Sequence, residues 1–97
     1  MATYVVLYNL TEQGIKDAKN APGRIRAAAE RLAGRGGKLV GWYATMGQYD
    51  AVAIIESPDD ATVARGMLAL GAEGRVRSTT LKAFTLDEFE KITSSLP

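Results

Sequence analysis

The chain has 97 residues, enough for one domain, and its 46% hydrophobic and 24% charged content is that of an ordinary globular protein. Twelve basic side chains against eleven acidic ones leave a net charge of +1, too small an excess for a dedicated nucleic-acid binder. Cysteine and histidine are both absent, which excludes disulfides, thiolate nucleophiles, Cys zinc sites, imidazole general bases, Ser-His-Asp triads and His-ligated haem; no cofactor and no metal is expected.

Residues 3–9 are β-branched and aromatic and read as a strand. Leu10 to Lys19 is polar, contains Gly14, and reads as a loop with room for one helical turn. Asn20 is placed to cap a helix with Pro22 just inside it. Its apolar stripe is Ile25, Ala28, Ala29, Leu32 and Ala33, at i, i+3, i+4, i+7 and i+8, and Gly34, Gly36 and Gly37 end it. Leu39 to Met46 reads as a second strand, Gly47-Gln48 as a tight turn, and Tyr49 to Glu56 as a third strand, so that the pair forms an antiparallel hairpin. Ser57-Pro58-Asp59-Asp60 predicts a helix start with Ser57 as the cap and Asp60 reaching back. That helix carries Val63, Ala64, Met67 and Leu70 and stops at Gly71. Residues 75–84 read as a fourth strand. Thr85 and Glu88 form a second capping box, opening a short helix with Leu86, Phe89 and Ile92 turned inward.

The resulting order, β-α-β-β-α-β plus a terminal helix, is the ferredoxin-like pattern with a four-stranded antiparallel sheet. Both helices then cover one face of the sheet, yet the strands are apolar on both sides. Tyr4, Val6 and Tyr8 alternate with Val5 and Leu7, and Val52 and Ile54 alternate with Ala51, Ala53 and Ile55. A single chain covers one of these faces, so a homo-oligomer is expected. The alternative is that the terminal helix folds over the open face. Met1 to Val6 lacks the basic start of a secretory signal, no apolar run nears a membrane span, and a cytoplasmic, non-membrane protein is expected.

Around Gly47-Gln48-Tyr49-Asp50 the chain resembles the GYD domain family, and the likeness extends over nearly its whole length. It includes Asn9 to Ile15, Lys19, Arg24, Gly37, Trp42 to Asp50, Pro58 to Asp60, Gly74 to Thr80 and Ala83 to Thr85. The resemblance implies a dimeric α/β barrel, in which two ferredoxin-like sheets pack face to face, and it implies no particular activity. From Thr45 to Phe84 the chain is also similar to the effector-binding module of Lrp/AsnC regulators. This second resemblance implies a dimeric barrel that binds amino acids near its subunit contacts, here without a DNA-binding helix-turn-helix.

Asp50, at the start of the third strand, reads either as a general base or amine anchor, or as an acceptor for backbone amides that fixes the Gly47 turn. Asn9, Thr11 and Gly14 read as ligand contacts or as a turn and helix cap. Tyr43 is a pocket candidate because Gly41 beside it leaves space; strict alternation points it with Leu39, Gly41 and Thr45, and points Trp42 with Val40, Ala44 and Met46. Thr45 and Tyr49 complete the candidate ligand set. Lys19 and Arg24, near a helix N-terminus, read as an anion site or as a solvated basic face.

Two functions remain open. One is a non-enzymatic module holding a small-molecule metabolite between sheet and helices. The other is a cofactor-independent enzyme, isomerase- or monooxygenase-like, with Asp50 as base, Tyr43 or Tyr49 as acid or hydrogen-bond donor, and Asn9 as oxyanion stabiliser.

Overall fold

The computed structural model describes residues 1–97. Strand β1 (Ala2–Leu10) alternates large apolar side chains without a glycine or proline, as a strand with packed neighbours on both edges requires. It lies between β3 (Ala51–Ser57) and β4 (Val76–Ala83), with β2 (Lys38–Ala44) outside β3, giving the order β2-β3-β1-β4. Every neighbouring pair is antiparallel. The ferredoxin-like α+β architecture expected from the sequence is therefore present.

The register sorts the side chains into two faces. Tyr4 stands opposite Ile55, Val6 opposite Ala53, and Tyr8 opposite Ala51. Tyr4, Val6, Ala53 and Ile55 are buried with Val63 of α3 (Asp60–Ala72). Leu32 of α2 (Ala21–Gly34), Met67, Leu39 and Trp42 pack against this cluster. The other face carries Val5, Leu7, Val52 and Ile54, joined across the register by Leu81 and Tyr43, and no helix covers it.

Some local expectations are met and others corrected. The helical turn expected within the stretch after β1 forms as α1 (Glu12–Lys16), and a 3-10 turn (Ala18–Asn20) follows it. Thr11 caps α1 by accepting the Gly14 N–H at 3.1 Å. Asn20 makes no cap bond to α2; its amide donates to Asp17 Oδ1 at 2.6 Å. The α3 cap is Asp59, which accepts the Thr62 N–H at 2.7 Å, and not Ser57, which is the fully buried last residue of β3, paired with Ala2. The α3 helix also runs one residue past Gly71, to Ala72, ahead of Gly74 at φ +83°. The β2–β3 connection is the six-residue stretch Thr45–Asp50, not a two-residue turn: Asp50 leaves the ladder and its carbonyl accepts the Thr45 N–H at 2.9 Å.

A bulge in β2 overturns the alternation expected around Trp42. Leu39 pairs with Ile55 but Gly41 pairs with Ile54, leaving Val40 as the extra residue. Beyond the bulge the phase is reversed. Trp42 shares the helix-covered face with Leu39, while Tyr43 joins Gly41 on the open one.

A last correction concerns α4 (Leu86–Ser94). Its capping box is present as expected: Thr85 N–H donates to Glu88 Oε1 at 2.8 Å and Glu88 N–H to Thr85 Oγ1 at 3.2 Å. The helix does not fold inward. Leu86, Phe89 and Ile92 are exposed, and α4 makes at most glancing contact with the other elements. The radius of gyration, 14.7 Å, exceeds the value of about 12.5 Å for a compact chain of this length. The exposed surface is 6711 Å², against about 5,400 Å² for a folded monomer of 10.4 kDa.

Candidate functional site

Several candidate residues sit where β1 ends and β3 begins. Asp50 bonds three ways there. Its N–H donates to the Tyr8 carbonyl at 2.8 Å, its carbonyl accepts from Thr45, and its carboxylate accepts the Leu10 N–H at 2.8 Å. The carboxylate therefore takes the place of a ladder carbonyl for Leu10. Thr45 closes the same turn through its hydroxyl, which donates to the Tyr49 carbonyl at 2.6 Å. Gly47, at φ +115°, supplies the left-handed residue the turn needs.

Beyond Leu10 the chain turns under β4. Thr11 N–H donates to the Arg75 carbonyl at 3.0 Å and Thr11 Oγ1 to the Gly74 carbonyl at 2.6 Å. Gly14 is buried against that Arg75 carbonyl; a Cβ on it would lie 2.0 Å from the oxygen. Thr11 and Gly14 thus lock α1 onto the start of β4. Asn9 is exposed on the open face, opposite Arg77, and its amide makes no hydrogen bond. Tyr43 is 62% exposed on the same face, its ring lying beside Gly41. From strand spacing and rise, its Cα is about 12 Å from that of Asn9. Two depressions on the chain are shallow and polar, one lined by Glu12, Gln13, Lys16 and Asp17, the other by Asp87, Glu90, Lys91 and Ser94. Neither contains any of the ligand candidates, and neither lies between sheet and helices.

The two anion candidates part company. Arg24 donates to Asp17 Oδ2 at 2.6 Å and to the Asp17 carbonyl at 3.3 Å. Lys19 is exposed and outside this network. Asp17 also accepts from Arg75 Nε at 3.2 Å. The Asn20 hydrogen bond, with Arg24 and Arg75 beside it, holds the Asp17 carboxyl below its ordinary range. This network ties α1, α2 and β4 together. Its i, i+7 Asp17–Arg24 pair was in the sequence, but the Arg75 partner comes only from the fold.

A second polar cluster escaped sequence reasoning. The hydroxyl of Tyr4, a core residue, donates to Asp60 Oδ1, and Lys82 Nζ lies 3.1 Å from the same oxygen. The Asp60 hydrogen bond pushes the Tyr4 phenol up to about 12 and in turn lowers the Asp60 carboxyl, with Lys82 assisting. The signal was the cross-strand pairing of Tyr4 with Lys82, which a linear reading does not show.

No helix is long and apolar enough to cross a membrane. Comparison with known proteins adds three similar proteins. A Thermus thermophilus protein described as a glutamine synthetase and cystathionine beta-lyase binding protein is 40% identical over 84 residues, covering 86% of this chain and 88% of that one. The crystal structure of TTHA0845, from the same organism, aligns at a TM-score of 0.51 with 30% identity, covering 88% of this chain and 95% of that chain. The crystal structure of MtbAldR aligns at a TM-score of 0.59 with 18% identity; it covers 87% of this chain, which spans about half (52%) of that longer chain, and the likeness is one of fold. The GYD domain model matches residues 4–93, Gly47 to Asp50 included, and the chain belongs to the GYD domain family.

Proposed function

We propose that this protein is a non-catalytic binding protein, a homo-oligomer that docks onto enzymes of the glutamine synthetase or cystathionine beta-lyase type. The observation that carries the reading is the 40% identity, over most of both chains, to a protein described as binding those two enzymes. The local chemistry supports it. The Asp50 carboxylate, first choice as a catalytic base, is engaged by a backbone amide. The surface excess of about 1,300 Å² supports the homo-oligomer, since a standard interface buries about 800 Å² per partner. The open face of Val5, Leu7, Val52, Ile54 and Leu81 is the apolar surface that a second copy's sheet would cover.

The test is direct binding. The purified protein is immobilised and titrated with glutamine synthetase and with cystathionine beta-lyase from the same organism, each assayed for activity in parallel. Saturable binding with a Kd below about 10 μM to either enzyme is expected. Absence of binding to both at ten times that concentration refutes the reading.

A further inference from the structure

Helix α4 is left without a partner on its own chain. Its capping box satisfies two of the N–H groups at its start, but at nine residues it is too short to be stable without a surface to pack on. Leu86, Phe89 and Ile92, followed by Leu96 just past its end, fall on one stripe about 120° wide at helical spacing. All four are exposed: 81% for Leu86, 53% for Phe89, 44% for Ile92 and 67% for Leu96. The opposite side carries Asp87, Glu90, Lys91 and Ser94. This amphipathic rod follows β4 after a two-residue link and projects from the body, which accounts for the long axis of 52 Å beside extents of 31 and 19 Å.

The chain thus presents two unpartnered apolar surfaces, a convex helical ridge and an open sheet face. We infer that α4 is an exchanged arm: in a two-fold dimer each copy lays the Leu86-Phe89-Ile92 stripe over the rim of its partner's open sheet face. One symmetric exchange covers both surfaces on both chains and closes the assembly. Symmetry and area both suit a second copy as the occupant: it brings the matching ridge and face together. The surface excess of about 1,300 Å² per chain exceeds the 800 Å² or so of a standard half-interface, leaving room for an arm contact beside the sheet-to-sheet contact. The inference rests on the homo-oligomer of the proposed function and adds which segment crosses between the copies.

The experiment compares the wild-type chain with Phe89→Glu/Ile92→Glu and with Leu81→Glu, by sedimentation across a range of protomer concentrations. Two charges placed in the stripe are expected to raise the dimer dissociation constant at least about 100-fold, with the far-ultraviolet circular dichroism unchanged. A cross-linking measurement keeps the idea open to refutation should that variant fold poorly. The chain has no cysteine, so Ser94→Cys on the polar side of α4 accepts a photoactivatable maleimide at one place. Mixed with a nitrogen-15-labelled unmodified chain, it is expected to cross-link between light and heavy chains, at peptides of the open face. Cross-links within one chain only mean that α4 folds back on its own sheet and overturn the arm. A dimer unaffected by the stripe variant but broken by Leu81→Glu also overturns the arm and leaves the homo-oligomer standing. A wild-type chain that is monomeric throughout overturns both.

Discussion

Replacing Asp50 with alanine removes the carboxylate that accepts the Leu10 N–H. A hydrogen bond to a charged acceptor contributes about 1.5–3 kcal/mol, but the contact is only partly buried and water reaches the freed amide, so the expected cost is about 1–2 kcal/mol. For a domain of this size that corresponds to a fall in Tm of about 4–16 °C. Asp50→Asn keeps a carbonyl oxygen at the same reach and exchanges a charge-assisted bond for a neutral one, so it is expected to lose about half as much. Thermal unfolding followed by circular dichroism, at one fixed protomer concentration because oligomers gain apparent stability with concentration, measures both variants. The two should rank wild type, asparagine, alanine, and both should retain docking on the enzyme partner at temperatures where they remain folded. An alanine variant whose Tm stays within about 1 °C of wild type refutes the structural assignment. So does one that keeps its Tm and loses docking, since Asp50 would then belong to the binding surface.

Gly14→Ala drives a methyl group into the Arg75 carbonyl, 2.0 Å away, and a backbone clash relieved by shifting α1 is expected to cost about 1–3 kcal/mol, read as a lower urea midpoint. Asp17, Asp59, Asp60 and Glu88 are all held below their ordinary values, 3.8 for aspartate and 4.5 for glutamate, by the bonds their carboxylates accept. The stability they contribute is complete above those values and is lost as pH falls through the lower folded ones. Tm is therefore expected to decline below about pH 4, and less steeply in Asp17→Asn. Tyr4 has the opposite sign: its contribution is complete below its ordinary 10 and lost as pH rises through about 12. The tyrosinate absorbance that disappears in Tyr4→Phe should titrate near that upper value, and Asp60→Asn should bring it down.

Much of the fold was legible because its signals are local. The β1 alternation, the α2 stripe and the Thr85–Glu88 box each lie within one window of sequence, and each forms where expected. The misses share a different cause. In Ser57-Pro58-Asp59-Asp60 three side chains are able to cap a helix, and the register of β3 against Ala2 decides that Ser57 stays in the strand. Val40 gave no warning as a bulge, because Leu39, Val40 and Trp42 are all apolar and a period of two fits either phase. At the candidate site, the two readings of Asp50 differ only in where its oxygens point, which depends on β1, forty residues earlier. The inward turn expected of α4 failed for a further reason: an apolar stripe states that a helix is covered, and says nothing of whose surface covers it.

The irregularity at Val40 also bears on how the molecule avoids growing without limit. Strand β2 is an outer strand, and a straight one offers a row of free amides and carbonyls that any passing strand can extend. The extra residue kinks that row, and the exposed Lys38 at its beginning adds a charge that a docking strand would have to desolvate. Ribbon-like polymerisation along this border is thereby discouraged, which leaves the broad apolar face as the surface for the proposed pairing of two copies.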